Sequence, residues 1–286
     1  MPELPEVENI KLQLEKFLVG HRIVKVDINY DKTFEGEKDN ILNAIKSVRR
    51  FAKVLVVDLV NDYSIVIQIK LTGQLIYKGP NLEEKPISKK VIGGVPGKHT
   101  HVVFYLDRGG VLYYNDVRKF GRIRVVKTPD VETSGLVGRL GPEPNITESS
   151  AWNLLTLDKF RKIANDTSQP VKMLLMDQTK LSGIGNIYAN DALWLAEINP
   201  KKKADKLGVG KIRNLFKAII DVLGEGIKKG GASELSYVTP DGGEGEYQNY
   251  SHVYGRAGEK CKRCGCIIEK FKMAGRGTYF CPKCQV

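Results

Sequence analysis

Four of the five cysteines form two closely spaced pairs near the end of the chain, Cys261-x-x-Cys264 and Cys281-x-x-Cys284, with sixteen residues between the pairs. Two such pairs can present four thiolates to one tetrahedral zinc ion. Two disulfides are the alternative in an oxidising compartment, but no export signal accompanies the pairs, and a redox-active dithiol fits this spacing poorly. Because thiolates would fill all four positions, we expect one structural Zn²⁺ with no open position for catalysis. Cys266 is expected to be a small, partly buried side chain.

The segment between the two cysteine pairs predicts a β-hairpin. Its residues alternate in polarity, and Ala274-Gly275 provides a turn that places Arg276 next to the tip. A basic hairpin fixed by a metal ion is suited to binding phosphate groups. A solvated arginine at the tip is the alternative that the residues leave open.

The N-terminus offers a second kind of chemistry. Pro2 is small, so we expect Met1 to be removed and Pro2 to become a free secondary amine. An α-amino group, with a pKa of about 7.7–8.0, is partly neutral near pH 7 and can attack a sugar C1′ to form an iminium. Glu3 could transfer protons beside it. The competing interpretation is a helix that begins with proline and is capped by glutamate.

Composition narrows the class of protein. The 286 residues include 45 Lys and Arg against 33 Asp and Glu, a net charge of +12, and 42% are hydrophobic. These values are typical of a folded protein of about two domains, not of a disordered chain. No apolar run approaches the ~18 residues of a membrane span. The excess of positive charge favours a polyanionic partner, with nucleic acid first and an anionic membrane surface second.

The charge is unevenly distributed along the chain. Residues 255–286 contain eight basic and two acidic residues, whereas the first eight residues contain Glu3, Glu6 and Glu8 and no base. Carboxylates next to DNA phosphates weaken binding. The acidic start of this basic protein therefore indicates a role other than increasing the affinity for nucleic acid.

Elements of two types must position these groups. Apolar residues at helical spacing predict a helix over 5–19, and residues 41–49 are expected to be helical or irregular. Residues 78–99, rich in Gly, Pro and Lys, are expected to form a long loop. Short runs rich in Val, Ile and Tyr predict strands. These runs are Arg22–Ile28, Lys53–Val60, Ser64–Leu71, His101–Leu106, Val111–Asn115 and Arg122–Val126.

The pattern changes after these strands. Four helices are predicted over 151–165, 170–178, 186–197 and 208–229, followed by a polar, Gly-rich loop over 230–252. The expected fold class is α+β, with an antiparallel β-sandwich that includes an N-terminal helix, then a helical domain and a zinc-bound hairpin. The expected segments are 1–133 for the sandwich, 134–150 for a linker, 151–252 for the helical domain and 253–286 for the zinc hairpin.

Four motifs in register resemble the bacterial formamidopyrimidine-DNA glycosylases. They are PELPEVE at 2–8, NDVRKFG at 115–121, GIGNIYA at 183–189 and the Cys-x2-Cys-x16-Cys-x2-Cys minidomain. The resemblance covers nearly the whole chain, and its four motifs together are highly specific. It implies a bifunctional enzyme that excises 8-oxoguanine and formamidopyrimidines from damaged double-stranded DNA and then nicks the strand by β,δ-elimination. It also implies a helix–two-turns–helix element around GIGN.

The resemblance assigns catalytic roles to five residues. Pro2 would be the Schiff-base nucleophile and Glu3 the general acid and base, with Glu6 supporting them from the first helical turn. Lys53 would reach the lesion and its phosphate. Arg276 would grip phosphate and assist the second elimination.

The resemblance also assigns DNA contacts. Leu71, Arg118 and Phe120 would fill the gap left when the damaged nucleotide is extruded from the duplex. The family usually has Met where this chain has Leu71, a change of similar volume. Lys172 and Asn186 would contact the DNA backbone, and His99 would contact the DNA.

Two segments depart from the family pattern. Among the properties that the resemblance implies, substrate preference is the one that these departures weaken most. Thr167-Ser168 stand where basic residues are expected, and the loop 231–249 lacks the basic residue expected near Leu235.

Two rival functions remain from the sequence. One is an endonuclease VIII-like glycosylase for oxidised pyrimidines, which the altered 231–249 loop allows. The other is a non-catalytic zinc protein that binds nucleic acid, which the combination of Pro2, Glu3, Lys53 and Arg276 opposes. For the enzyme we expect a monomer, no membrane association and a cytoplasmic, nucleoid-associated location.

Overall fold

The computed structural model describes residues 1–80, 82, 86–146 and 152–286. The chain divides into two compact units. The first unit, called unit 1 below, contains residues 1–138 and 229–246, and unit 2 contains residues 139–228 and 247–286. Within the described ranges, no helix is long and apolar enough to cross a membrane.

Unit 1 begins with helix α1 (Leu4–Leu18). Pro5 stands in its first turn, where a missing N–H costs little. Val7, Ile10 and Leu14 recur at helical spacing and are almost completely buried. The helix predicted over 5–19 is therefore confirmed to within one residue at each end.

Two β-sheets follow α1 and form a sandwich. One has the strand order β1-β7-β8-β6 and the other β2-β9-β5-β4-β3, and every pairing is antiparallel except β2 with β9. Side chains of both sheets, such as Phe104 and Val57, form one apolar core with α1. In the described part of unit 1 the strands are β1 (Ile23–Ile28), β2 (Phe34–Glu35), β3 (Ile45–Phe51), β4 (Val54–Leu59), β5 (Tyr63–Gln68), β6 (Gly73–Lys78), β7 (Thr100–Leu106), β8 (Val111–Asp116) and β9 (Arg122–Lys127).

Three strands of unit 1 were not predicted from the sequence: the two-residue β2, β3 and β6. Residues 41–49 were expected to be helical or irregular, but most of them belong to β3, which begins at Ile45 after a short 3-10 turn at Lys38–Ile41. That expectation was wrong. Strand β6 was not predicted at all, because Gly73 suggested a turn. The predicted loop 78–99 contains no helix or strand after Lys78 in its described part, and its residues 81 and 83–85 lie outside the described residues.

Unit 2 is mainly helical and ends in a hairpin. Its helices are α2 (Leu157–Asn165), α3 (Val171–Met176), α4 (Asn186–Leu195) and α5 (Val209–Lys228). The short strands β10 (Glu143–Pro144) and β11 (Leu154–Leu155) pair in parallel, and β12 (Glu269–Met273) pairs with β13 (Arg276–Phe280). All four predicted helices are present, although α2 starts six residues later than expected. Residues 147–150 of the predicted linker and residue 151 lie outside the described residues.

Candidate active site and nucleic-acid interface

The N-terminal residues are folded into unit 1 instead of trailing into solvent. Pro2 is buried, Glu3 is 3% exposed, and Met1 before them is 45% exposed. The backbone N–H of Glu3 donates a hydrogen bond to Oε2 of Glu6 at 2.7 Å. Glu6 therefore fixes the backbone immediately after the candidate nucleophile, and the same contact caps α1.

The second carboxylate oxygen of Glu6 holds another segment. Its Oε1 accepts a hydrogen bond from the N–H of Ala232 at 2.7 Å. A Cβ built on Gly231 would lie 2.9 Å from Cγ of Glu6, so a glycine is required for this approach. Burial, together with the charge of Glu6, raises the pKa of Tyr237 well above its ordinary value. One carboxylate thus joins the chain start to the loop 229–246.

Lys53 lies in a two-residue turn between β3 and β4. Its side chain is largely buried, and the preceding residue, Ala52, is completely buried. Ala52 has a φ of +50°, a conformation that residues other than glycine adopt rarely. Helix α1 packs against both β3 and β4, so the turn and the chain start belong to one packed layer.

The three residues predicted to fill the gap in the duplex lie in two loops that a hydrogen-bond network joins. The Thr72 hydroxyl donates to Asp116, and the Arg118 N–H donates to both Thr72 Oγ1 and Asp116 Oδ1 at 3.1 Å. Thr72 follows Leu71 directly, so this network joins the two loops. The Arg118 guanidinium lies over the Phe120 ring at 4.7 Å. Phe120 is 54% exposed, so it is not part of the apolar core.

Three more hydrogen bonds connect this network with its surroundings. The Ser236 hydroxyl donates to the Leu71 carbonyl at 2.5 Å, and Gln74 donates to the Ser236 carbonyl at 2.7 Å. The His99 carbonyl accepts from the Asp116 N–H at 3.0 Å. Partial burial and the nearby positive charge of Lys98 hold the pKa of His99 below its ordinary value, so its imidazole is neutral near pH 7.

In unit 2, Asn186 is the first residue of α4. The turn before it is braced by Gln178, whose side chain donates to the Ile184 carbonyl at 2.7 Å and accepts from the Gly183 N–H at 3.1 Å. Gly183 has a φ of +88°. Backbone N–H groups at such a glycine-rich helix start can approach phosphate closely. The helix–two-turns–helix element is therefore formed by α3, this turn and α4.

Arg276 is the first residue of β13 and is exposed, as expected for a phosphate-binding side chain. The predicted turn is confirmed: Ala274 and Gly275 both have positive φ, which matches the twist of a two-residue hairpin. The Tyr279 N–H of the same strand donates to Oδ1 of Asn190 on α4 at 2.8 Å. The hairpin is therefore bonded directly to the helix that begins with Asn186.

Lys172 occupies a position that the sequence did not suggest. It is 1% exposed, and its Nζ donates to the Gly277 carbonyl at 3.0 Å and to Thr278 Oγ1 at 2.8 Å. In this conformation its ammonium group supports the strand that carries Arg276. A contact between Lys172 and the DNA backbone stays a prediction.

The four paired cysteines fit one zinc ion. Their Sγ atoms all lie within 4.8 Å of one another, and two distances between the pairs are 3.5 Å for Cys264–Cys281 and 3.9 Å for Cys261–Cys284. A tetrahedral ion with Zn–S bonds of about 2.3 Å separates its sulfurs by about 3.8 Å. All the cysteines are free of disulfides. The indole N–H of Trp194 donates to Sγ of Cys261 at 3.3 Å, as an outer partner of a metal thiolate does.

Three family models match the chain in order. They are the formamidopyrimidine-DNA glycosylase N-terminal domain over residues 1–123, the formamidopyrimidine-DNA glycosylase H2TH domain over residues 140–237, and a zinc finger found in FPG and IleRS over residues 258–286. The formamidopyrimidine-DNA glycosylase of Lactiplantibacillus plantarum is 37% identical over 99% of this chain and 98% of its own. That of Desulfitobacterium hafniense is 38% identical over the full length of both chains. This chain belongs to the formamidopyrimidine-DNA glycosylase family.

Solved structures of the family agree with this assignment. The Lactococcus lactis enzyme in complex with DNA that contains an abasic site is 33% identical, covers 99% of each chain and gives a TM-score of 0.84. A mutant of the same enzyme with DNA that contains Fapy-dG gives a TM-score of 0.85 at 34% identity. The α+β fold, the helix–two-turns–helix element and the structural zinc site predicted from the sequence are thereby confirmed.

Several site residues escaped the sequence analysis. Ala232 and Ser236 act through a backbone N–H and a hydroxyl, and Asn190 through an amide, so their residue types gave no hint of a role. The doublet Gly230-Gly231, with both φ values positive, was the only local signal that the chain makes a close approach there.

Proposed function

We propose that this chain is a bifunctional DNA glycosylase and abasic-site lyase that removes oxidised purines from duplex DNA in base excision repair. The observation that carries the proposal is the buried N-terminus, in which the Glu6 carboxylate fixes the backbone of Glu3 at 2.7 Å. The family matches support it, because the relatives are named for this activity. Catalysis requires removal of Met1, whose exposure leaves it open to an aminopeptidase.

The proposed chemistry begins with attack by the Pro2 nitrogen. A bond forms between this nitrogen and C1′ of the damaged nucleotide, and the glycosidic bond breaks as the base leaves with a proton. Glu3 supplies and recovers protons during this exchange. Protonation of O4′ by Glu3 then breaks the C1′–O4′ bond and opens the sugar ring, which gives an iminium between Pro2 and C1′. The iminium makes the C2′ hydrogen acidic, so loss of that proton expels the 3′ phosphate and cuts the strand. A second elimination then expels the 5′ phosphate, which releases the sugar remnant and leaves a gap where the damaged nucleotide stood.

The remaining residues bind and orient the DNA. The base must leave the duplex before the amine can reach C1′, at a cost of a few kcal/mol. Leu71, Arg118 and Phe120 would occupy the vacated space, since Phe120 is exposed and is held beside Arg118. Asn186, Arg276 and His99 would bind phosphates. Lys53 would reach the lesion from its turn.

Zinc would be held by Cys261, Cys264, Cys281 and Cys284. When bound, it supplies structural support for the hairpin and no reaction chemistry, because four thiolates leave no open position.

We also propose that the chain is organised in the functional segments 1–133, 134–150, 151–252 and 253–286. Residues 229–246, within the third segment, pack with unit 1. A monomer suffices for the proposed chemistry. We place the enzyme in the cytoplasm at the nucleoid, where its substrate lies.

Borohydride trapping tests the proposed function. The protein is incubated with a duplex that contains 8-oxoguanine opposite cytosine, borohydride is added, and the cross-link is mapped by mass spectrometry. We expect a reduced adduct on the N-terminal nitrogen of Pro2. Pro2→Glu, whose large side chain retains Met1, should form none, whereas Pro5→Ala in the first helical turn should form it normally.

Two further arms test the roles of the residues and the lesion class. Glu3→Gln should slow base excision by about 10²–10⁴-fold, since it removes a general acid; excision at the wild-type rate would show that Glu3 has another role. A duplex with an oxidised pyrimidine tests the endonuclease VIII-like alternative, which preferential excision of that base would establish. Tight binding of the lesion without any adduct would favour the non-catalytic alternative.

A further inference from the structure

A buried ion pair lies outside the roles described so far. Arg50 on β3 donates through Nε to Oε2 of Glu8 on α1 at 2.6 Å, and each side chain is 1% exposed. Burying two charges costs so much desolvation energy that an apolar pair of similar volume is often at least as stable. Stability alone therefore does not explain why this position in the core is charged.

The pair connects two segments of the proposed active site. Glu8 lies on the helix that begins immediately after Glu3, and Arg50 lies three residues before Lys53. The Nη1 of Arg50 also donates to the carbonyl of Ala52 at 3.1 Å. One guanidinium therefore bonds to the helix that carries the chain start and to the turn that carries Lys53.

The turn needs such support because its backbone is strained. Ala52 has a φ of +50° and is completely buried in a two-residue hairpin turn. A residue other than glycine in this region persists only where its surroundings hold it. The Ala52 carbonyl belongs to the peptide that links Ala52 to Lys53, so the bond from Arg50 fixes the direction in which Lys53 leaves the backbone.

We propose that Glu8 and Arg50 are positioning residues that set Lys53 relative to Pro2 and Glu3 for base excision. This inference rests on the proposed function. The rigid fork of arginine suits the task, because it bonds to a carboxylate and a carbonyl at once in fixed directions.

Arg49 offers a matched comparison on the same strand. Successive residues of a strand point to opposite faces, so Arg49 points away from Arg50. It pairs with Asp58 on the neighbouring strand, at 2.6 Å, and its side chain is 34% exposed. Arg49→Met therefore removes an arginine–carboxylate pair from the same hairpin without removing the bond to Ala52.

The main test replaces both members of the buried pair. In Glu8→Met/Arg50→Met both members of the pair are replaced together, so neither is left buried without the other, and the protein is expected to fold. We expect single-turnover excision of 8-oxoguanine to slow by about 10- to 100-fold, since a small misplacement of a reacting group has effects of this size. Arg49→Met should stay within about twofold of the wild type. Wild-type excision by the double variant would overturn the proposal.

A second arm asks whether the pair acts through Lys53. In a Lys53→Ala background, Glu8→Met/Arg50→Met should slow excision by less than about twofold further, because residues that act as a unit are strongly non-additive. Independent, multiplying effects would mean that the pair does not act through Lys53. If the double variant fails to fold, Glu8→Gln provides the same comparison with a smaller expected loss.

A third arm needs no enzyme activity. Amide hydrogen exchange at Lys53 should be faster in Glu8→Met/Arg50→Met than in the wild type, while exchange in β7 and β8 is unchanged. Unchanged exchange at Lys53 would contradict the proposal. A wild-type protein that forms no borohydride adduct would refute the proposed function, whereas the exchange measurement would still decide whether the pair holds the turn.

Discussion

Lys53 and Arg276 both lie at β-hairpin turns, and in each unit a buried basic side chain supports the turn or its strand. In unit 1 Arg50 bonds to the Ala52 carbonyl and is paired with Glu8. In unit 2 Lys172 bonds to the Gly277 carbonyl and the Thr278 hydroxyl. Both basic side chains are almost completely buried. The two units thus use the same device at their proposed functional turns.

The surroundings of the two turns differ. The turn of unit 1 lies on an extended apolar core made by α1 and both sheets. The hairpin of unit 2 packs on a small cluster whose buried members are Trp194, Val253, Cys261, Ile268 and Cys281. Two of these five are zinc ligands. The comparison suggests that the core positions Lys53, whereas metal binding positions Arg276.

Removal of zinc should have the largest effect and should be confined to unit 2. In Cys281→Ala the hairpin is expected to unfold, because structural zinc contributes about 10–16 kcal/mol in small zinc domains and nothing of similar size replaces it. NMR amide signals of β12 and β13 should move to unfolded positions, those of unit 1 should stay, and affinity for damaged DNA should fall.

Cys266→Ala is the control for this experiment, since Cys266 lies outside the set of four ligands. It should keep the hairpin folded. A folded hairpin in zinc-free Cys281→Ala protein would show that apolar packing positions Arg276, as it positions Lys53.

Loss of the Glu6 carboxylate should have the next largest effect, in unit 1. Glu6→Ala leaves the N–H groups of Glu3 and Ala232 without this acceptor, at a cost of about 1–3 kcal/mol for each buried group. Urea unfolding should show the lower stability, and the Ala232 amide should exchange faster. Glu15→Ala, which removes a largely exposed carboxylate from the same helix, should change little. Equal effects of the two substitutions would contradict the assigned role.

Replacement of Lys172 distinguishes support of the hairpin from contact with DNA. Lys172→Met should cost about 1.5–3 kcal/mol per hydrogen bond lost from a charged donor, seen as faster amide exchange at Thr278 and Tyr279. If Lys172 instead neutralises a DNA phosphate, the salt dependence of DNA binding should decrease by about one ion while exchange in the hairpin stays unchanged. Lys162→Met, an exposed lysine on α2, serves as the control.

The sequence predicted best those features whose determinants are close together in the chain. The zinc ligands follow from two Cys-x-x-Cys pairs, and β4, β5 and β7 follow from runs rich in Val, Ile and Tyr. Strand β3 was missed because Lys46, Arg49 and Arg50 interrupt its apolar pattern. Arg50 is nevertheless buried, since Glu8 lies opposite it 42 residues earlier in the chain. The contact between Glu6 and Ala232 joins residues 226 apart, and no local pattern indicates it.

The smallest expected effect concerns the ion pair of Arg49 with Asp58 in the β3–β4 hairpin and depends on pH. Burial would raise the pKa of Asp58, but hydrogen bonds from Arg49 and Ser64 outweigh it and hold that pKa below its ordinary value. Stabilisation by the ionised carboxylate is therefore complete above the unfolded pKa, about 3.9, and is lost as the pH falls through the lower folded value. Asp58→Asn should lower the free energy of unfolding at pH 7 by about 1 kcal/mol, as expected for a partly exposed pair. Urea unfolding from pH 7 to pH 3 should show the two proteins converging below about pH 4. A difference in the free energy of unfolding that stays constant over this range would mean that the charge of Asp58 does not stabilise the hairpin. Of the two arginine–carboxylate pairs compared on β3, Glu8–Arg50 would then be the one left to support it.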